Sequence, residues 1–218
     1  MTEKKAILFD LDGTLLDTKE LILASFRYAT REVLGEQLPD EVILPYIGIP
    51  LIYQMQAIAA EHADRLLEVY REHNARTHDE LIRYFEGTRE MLNELSAEGR
   101  RLAVVTSKRN ESALHGLAHF DLLEYFEFVI GSDDTAVHKP EPEPLLLAAK
   151  RLGLAPDTCI YVGDSPFDMQ AARAAGILAV AALWGMFSRE QLWEAGAQYE
   201  ATTPAALPAV IRESEKGA

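Results

Sequence analysis

Two textures of hydrophobic and polar positions alternate along this chain. Short apolar runs each end in a polar residue capable of chemistry. They are Ala6-Ile7-Leu8-Phe9 before Asp10, Leu102-Ala103-Val104-Val105 before Thr106, Phe126 to Ile130 before Gly131-Ser132-Asp133, and Cys159-Ile160-Tyr161-Val162 before Gly163-Asp164. A fifth run, Ile177 to Leu183, ends at Trp184-Gly185. Helical patterns separate them: Thr88 to Glu98, Asn110 to His119, Glu143 to Leu152 and Pro166 to Ala175. Three of these stop at Gly99, Gly153 and Gly176, where glycine supplies the left-handed cap that ends a helix. Strand and helix alternating at this spacing predict an α/β fold with a Rossmann-like, doubly wound parallel sheet. Such sheets bind ligands beyond the carboxyl ends of their strands, so the polar residues that end the runs are predicted to share one edge.

One stretch breaks the alternation. From Asp17 to Arg83 the pattern holds no convincing strand, only helical segments punctuated by Gly35, Pro39, Pro45, Gly48 and Pro50. It predicts an inserted all-helical cap over residues 17–83, and a core made of 1–16 and 84–218. Leu15 to Thr18 is the expected outgoing linker and Tyr84-Phe85-Glu86-Gly87 the return. The polar tail from Glu213 to Ala218 is expected to fray.

Composition narrows the function classes. The length of 218 residues suits one large domain or a domain carrying a smaller insertion. Hydrophobic residues make up 48% and charged residues 26%, enough apolar material for a sizeable core. There is no apolar run of about 18 residues, so no membrane span is expected. The N-terminal segment reaches Asp10 too soon for a signal peptide. The single cysteine, Cys159, excludes an internal disulfide framework and fits a cytoplasmic protein. With 35 acidic against 21 basic residues the net charge is −14, which repels nucleic acid and anionic lipid. A phosphorylated substrate would be repelled too, so a site for one must carry its own cations.

The candidate chemistry begins at Asp10-Leu11-Asp12-Gly13-Thr14. At the end of an extended strand Asp10 and Asp12 share a face while Leu11 turns to the core. Two carboxylates this close raise each other's pKa unless a cation lies between them. Gly163-Asp164-Ser165-Pro166-Phe167-Asp168 follows another strand, with Asp168 one helical turn beyond Asp164. Four carboxylates converging on one sheet edge call for a hard divalent cation such as Mg²⁺, which takes oxygen ligands and accepts a phosphate oxygen. Thr106-Ser107 stands where hydroxyl and backbone N–H groups can bind phosphate oxygens. In His138-Lys139-Pro140-Glu141-Pro142-Glu143-Pro144 three alternating prolines stiffen a turn from which Lys139 projects, an ammonium suited to neutralising a phosphoryl group.

In this order the four segments resemble the motifs of the haloacid dehalogenase superfamily, and the helical insert resembles that of its capped phosphatases. The resemblance covers the whole chain. It implies that Asp10 is a nucleophile forming an aspartyl-phosphate and that Asp12 is the general acid and base. It further implies Mg²⁺ held by the Asp10 carboxylate, the Asp12 carbonyl and Asp164, with Asp168 in or beside that set. Thr106 and Lys139, with backbone N–H groups of Leu11, Asp12 and Ser107, would hold the phosphoryl oxygens. Asp12 argues against the dehalogenases, which lack an aspartate there. The absence of lysine from Glu20 to Arg83 argues against the phosphonate-cleaving branch.

Within the superfamily the chain is similar to phosphoglycolate phosphatases and to an inorganic pyrophosphatase of Gram-positive bacteria. The segments Leu44 to Leu51, Tyr70-Arg71-Glu72-His73-Asn74 and His78-Asp79 lean to the latter. The likeness implies that the loop around Gly48 and Pro50 closes over the substrate, a small phosphorylated metabolite of phosphoglycolate type or pyrophosphate. Lys108, Arg109, Arg27, His73 and His78 are candidates for a second anionic group. A phosphosugar mutase shares all four motifs, but Thr18 is followed by no histidine. A non-catalytic metabolite-binding regulator is opposed by the intact Asp10, Asp12, Lys139 and Asp164. The chain is expected to be a monomer or homodimer. Cys159 is read as a core residue, Asp133-Asp134 as turn or capping residues, Trp184 as a packing anchor, and Trp193 as either an anchor or a dimer contact.

Overall fold

The computed structural model describes residues 6–216. The strands are β1 (Ala6–Phe9), β2 (Leu16–Asp17), β3 (Arg83–Tyr84), β4 (Arg101–Val105), β5 (Val129–Ile130), β6 (Cys159–Gly163), β7 (Leu178–Ala182) and β8 (Tyr199–Ala201). The α-helices are α1 (Lys19–Leu34), α2 (Asp40–Ile43), α3 (Leu51–Ala59), α4 (Ala63–Leu81), α5 (Thr88–Ala97), α6 (Asn110–His119), α7 (Glu143–Leu152), α8 (Pro166–Ala175), α9 (Arg189–Ala195) and α10 (Leu207–Lys216). Six strands form one parallel sheet in the order β5-β4-β1-β6-β7-β8. The chain winds outward from β1 first to one side and later to the other, which opens a crevice at its carboxyl end.

Alternation along β1 divides the core into two layers. Ile7 and Phe9 face one layer with Leu102, Val104, Ile160 and Val162. Ala6 and Leu8 face the other with Ala103, Val105, Cys159 and Tyr161. Residues buried on both faces of a central strand explain its unbroken apolar run. Helices α7 and α8 stop at Gly153 and Gly176 in left-handed conformation, as expected. Helix α6 has the bounds read from its pattern. Asp133 accepts from the Asn110 N–H at the start of α6 at 2.9 Å, and Asp134 from Gly131 N–H at 2.9 Å, so both are capping and turn residues. Cys159 is buried in the core, as expected.

Four expectations change. The run Phe126 to Ile130 pairs as a strand only at Val129–Ile130, because a 3₁₀ turn at Leu123–Tyr125 ends on Phe126, whose ring packs on Phe9. β8 escaped the sequence reading because Glu200 interrupts it and an edge strand needs little apolar surface. The linkers pair with each other as an antiparallel ribbon, Leu16 opposite Tyr84 and Asp17 opposite Arg83. The tail is ordered to Lys216. Ser214 is buried, and Arg100 donates to Glu215 across 3.0 Å; Gly217 and Ala218 lie outside the described residues.

Residues 18–82 are helical and build their own apolar cluster, in which Phe26, Ile43, Met55 and Leu66 are fully buried and Phe26 meets Tyr70 edge to face. Among the described residues no helix is long and apolar enough to cross a membrane. Trp184 anchors the core and donates to the Thr14 carbonyl at 2.9 Å. Trp193 is 40% exposed, beneath the Arg189 guanidinium.

Candidate active site

The register places the expected residues together. Phe9 lies opposite Val104 on one side and Val162 on the other, so Asp10, Thr106 and Asp164 emerge at one edge. Asp10, Asp12, Thr106, Ser107 and Asp164 line a pocket of about 290 Å³ that is roofed by Gly48 and Pro50. Leu11 is buried in the core, as the alternation required.

Lys139 is not a projecting surface lysine. It is 3% exposed, and its Nζ donates to Asp10 Oδ1 at 3.0 Å, Asp168 Oδ1 at 2.6 Å and Tyr161 Oη at 3.0 Å. All three ammonium donors are thereby used. Burial alone would depress its pKa, but the carboxylates of Asp10 and Asp168 hold it above the ordinary lysine range. Tyr161 lies one pleat inside β6 and passes its own hydroxyl proton to the Val105 carbonyl at 2.8 Å. No local pattern marks a strand tyrosine as a partner of a lysine 22 residues away.

Asp168 does more than follow Asp164. Its Oδ2 accepts from Ser165 N–H at 3.0 Å and Ser165 Oγ–H at 2.6 Å, a capping box that opens α8. Its Oδ1 accepts from Lys139 at 2.6 Å. Asp168 therefore holds Lys139 and the turn after β6.

Asp164 Oδ2 accepts from Met186 N–H at 2.7 Å. A Cβ at Gly13 or at Gly185 would overlap the Asp164 carboxylate, and Gly13 has φ of +81°. The Asp164 side chain thus sits in a cradle of two glycines from distant loops. Gly185→Ala is expected to displace this carboxylate and weaken divalent-cation affinity roughly 10–100-fold, the scale of changes behind a metal ligand. Calorimetric titration with Mg²⁺ checks it, and unchanged affinity would show that the cradle is irrelevant.

Asp10, Asp164 and Asp168 offer oxygens within 4.8 Å of one another, all buried. Burial first, with Lys139 opposing and Asp168 and Asp12 reinforcing, raises Asp10 to about 7. Burial, then the carboxylates of Asp168 and Asp10, push Asp164 well above the usual range. An all-oxygen, anionic, partly unneutralised set fits a hard divalent cation.

Asp12 is turned away from this set and pairs with Lys108, Nζ to Oδ1 2.8 Å. Thr106 Oγ1 accepts from Lys108 N–H at 3.2 Å, and Ser107 Oγ donates to the Gly48 carbonyl at 2.7 Å. Gly48, with φ of +113°, packs so closely on Ser165 and Phe167 that a Cβ would sit 2.9 Å from the Phe167 ring. The loop from the helical region is therefore closed onto the core.

Of the candidates for a second anionic group, Lys108 and Arg109 line the pocket. Arg27 instead forks onto Asp40 at 2.9 and 2.6 Å. His73 stacks on Tyr28 and contacts Ser25, and His78 pairs with Asp79; neither lines the pocket. Arg71 and Asn74 do line it. Both belong to α4, and only the docking of α4 over the sheet edge aims them there. Burial, then the nearby Arg109, lowers the Arg71 pKa.

Comparisons with known proteins agree with this geometry. The chain is 40% identical over 186 residues to pyrophosphatase PpaX of Bacillus velezensis, covering 84% of this chain and 86% of that one. It is 33% identical over 210 residues to pyrophosphatase PpaX of Listeria monocytogenes serotype 4a, covering 96% and 97%. The crystal structure of a predicted phosphoglycolate phosphatase from Haemophilus somnus superposes with a TM-score of 0.85 at 26% identity, covering 96% of this chain and 99% of that one. Residues 7–182 match the model of the haloacid dehalogenase-like hydrolases. That span takes in the carboxylate edge and the helices roofing it, and the chain belongs to this hydrolase family.

Proposed function

We propose that the chain is a Mg²⁺-dependent phosphohydrolase whose preferred substrate is pyrophosphate. The observation that carries this reading is the pair Arg71 and Arg109, facing one pocket beside Lys108. A monophosphate with a neutral remainder needs cations only near Asp10. A substrate with a second phosphate, or with a carboxylate as in phosphoglycolate, needs them on the far wall as well. Relatives named pyrophosphatase favour the former.

In this reading an oxygen of Asp10 attacks phosphorus and forms an aspartyl-phosphate. Asp12 leaves Lys108, takes up a proton from solvent and passes it to the departing oxygen, and is then reprotonated by the water that hydrolyses the intermediate. Lys139 stays fixed by Asp168 and Tyr161 and faces the charge developing beside Asp10. Thr106 and Ser107 hold phosphoryl oxygens, with backbone N–H groups of Leu11 and Asp12. Mg²⁺ held by Asp10, the Asp12 carbonyl and Asp164 would neutralise charge on the phosphoryl oxygens. Residues 17–83 act as a cap on a core of 1–16 and 84–218. The β2–β3 ribbon is the hinge and the Gly48 loop the closing edge, so the substrate is shut off from bulk water.

A panel of pyrophosphate, phosphoglycolate and a neutral-tailed monophosphate, each with and without Mg²⁺, tests the assignment. Pyrophosphate is expected to have the highest kcat/KM. Phosphoglycolate preference would replace the substrate, and no turnover of any would sink the enzyme reading. Arg71→Ala is expected to raise KM for pyrophosphate at least about tenfold, the loss of one charge-assisted contact, with little effect on the neutral-tailed ester. Equal effects on both substrates would remove Arg71 from the far wall.

Cation binding should depend on pH. The folded pKa of Asp10, about 7, lies above its ordinary 3.8. The cation-free fold therefore holds an extra proton between these values and loses stability as pH rises through 7. Mg²⁺ needs the deprotonated carboxylate. The rise in Tm caused by Mg²⁺ is expected to be larger at pH 8 than at pH 5.5, and equal increments would contradict the assignment.

A further inference from the structure

Among the described residues, a second group of metal-ligating side chains lies apart from the strand edge. His78 and Asp79 belong to the last turn of α4, and His115 and His119 stand one turn apart on α6. Asp79 Oδ1 is 2.7 Å from His78 Nδ1, 3.0 Å from His115 Nε2 and 3.6 Å from His119 Nδ1. The ligand atoms of His78, Asp79 and His115 all lie within 4.8 Å of one another. In a tetrahedral shell with bonds of about 2.1 Å, neighbouring ligand atoms stand about 3.4 Å apart. The spacings observed around Asp79 bracket that value. Hydrogen bonds to His78 and His115 use both lone pairs of this oxygen, yet a third imidazole, His119, also points at it, and the buried Nε2 of His78 has no hydrogen-bond partner.

We propose that His78, Asp79, His115 and His119 form a binding site for a divalent transition metal of the Zn²⁺ class. Three imidazoles with one carboxylate suit Zn²⁺ and its neighbours rather than Mg²⁺, which takes oxygen ligands. The site is partly preorganised. His78 is 4% exposed, its ring lies 4.5 Å from that of His115, and its Nε2 end is packed against Gly116. His115 and His119 are more exposed, and His119, 3.6 Å from Asp79, completes the shell by turning its ring. A Cβ on Gly116 would also meet Leu16, in β2, and Ile82, just before β3. An ion held here ties the end of α4 to α6 beside the ribbon that joins the helical residues to the sheet. It restrains the movement of one against the other.

The test is titration of the full chain with Co²⁺ in excess Mg²⁺, which fills the oxygen site. One equivalent of Co²⁺ is expected to give the intense visible bands of tetrahedral coordination, abolished by one equivalent of Zn²⁺. The double variant His115→Ala/His119→Ala should bind Co²⁺ at least a hundredfold more weakly, with unchanged far-ultraviolet dichroism and unchanged Mg²⁺-dependent hydrolysis. Asp164→Asn should leave the Co²⁺ spectrum as it is. A weak octahedral spectrum, equal affinity in the double variant, or loss of the bands in Asp164→Asn would each overturn the proposal.

Discussion

Asp10→Asn is expected to lower turnover by roughly 10⁴-fold or more, the scale on which losing a covalent nucleophile acts, and to leave the fold intact. Asparagine is nearly isosteric but cannot carry the phosphoryl group. The fold should tolerate it because the Asp10 carboxylate is costly where it stands: burial raises it to about 7 despite Lys139 at 3.0 Å. The amide removes that desolvation cost. Lys139 keeps Asp168 and the Tyr161 hydroxyl as partners. The cation-free variant is therefore expected to melt at or above the wild-type temperature. Single-turnover assays and thermal melts measure the two effects separately. Residual turnover within tenfold of wild type would end the covalent mechanism, whereas loss of structure would show that Asp10 is needed for folding.

Lys139→Met has the opposite profile, damaging fold and chemistry together. Nearly the whole ammonium is buried, and it compensates two buried carboxylates. Removing one partner from such a group typically costs about 3–5 kcal/mol, because the remaining charge is buried unpaired. Turnover is expected to fall by about 10²–10³-fold, the magnitude seen when one preorganised stabiliser of developing charge is lost. The stability defect should depend on pH in a definite direction. Without Lys139 the Asp10 carboxylate, already raised to about 7 by burial, gains its proton still more readily in the folded chain than in the unfolded one. Its neutral form is tolerated at low pH, and the penalty grows as pH rises through its folded pKa. Denaturant melts at pH 5 and pH 8 should show the larger loss at pH 8. An equal loss at both would mean that packing of the lysine stem matters more than its charge.

These two results would separate what Asp10 and Lys139 do, although the two side chains touch. One group is retained against a folding cost for its chemistry. The other serves both folding and chemistry. The arrangement also resolves the net charge of −14. A strongly acidic chain can attract an anionic substrate only through cations concentrated at the site. Lys108, Arg71 and Arg109 are gathered there from two separate parts of the chain.

Much of the fold was legible before any coordinates. The bounds of α7 and α8 agree with the pattern because periodicity, a proline near the start and a glycine at the end are local signals, and those of α6 agree on periodicity without either. The strand tips were legible for a related reason: an apolar run that ends abruptly in aspartate or threonine marks where burial stops. The short edge strands β5 and β8 were less legible, since one flank of each lacks a partner strand and their sequences are correspondingly mixed.

By itself the sequence determined the succession of strands and helices, the helical character of residues 18–82, and which carboxylates and hydroxyls lie at strand ends. Those properties rest on neighbours a few residues apart, and on burial of whole runs. Only the tertiary structure decided the partners: Lys108 for Asp12, Tyr161 and Asp168 for Lys139, Gly13 and Gly185 around Asp164, Arg71 opposite Arg109, and three histidines around Asp79. Each pairing joins residues whose approach depends on strand register or on how α4 docks beside α6. Packing of the buried layers sets that approach, and no local propensity records it.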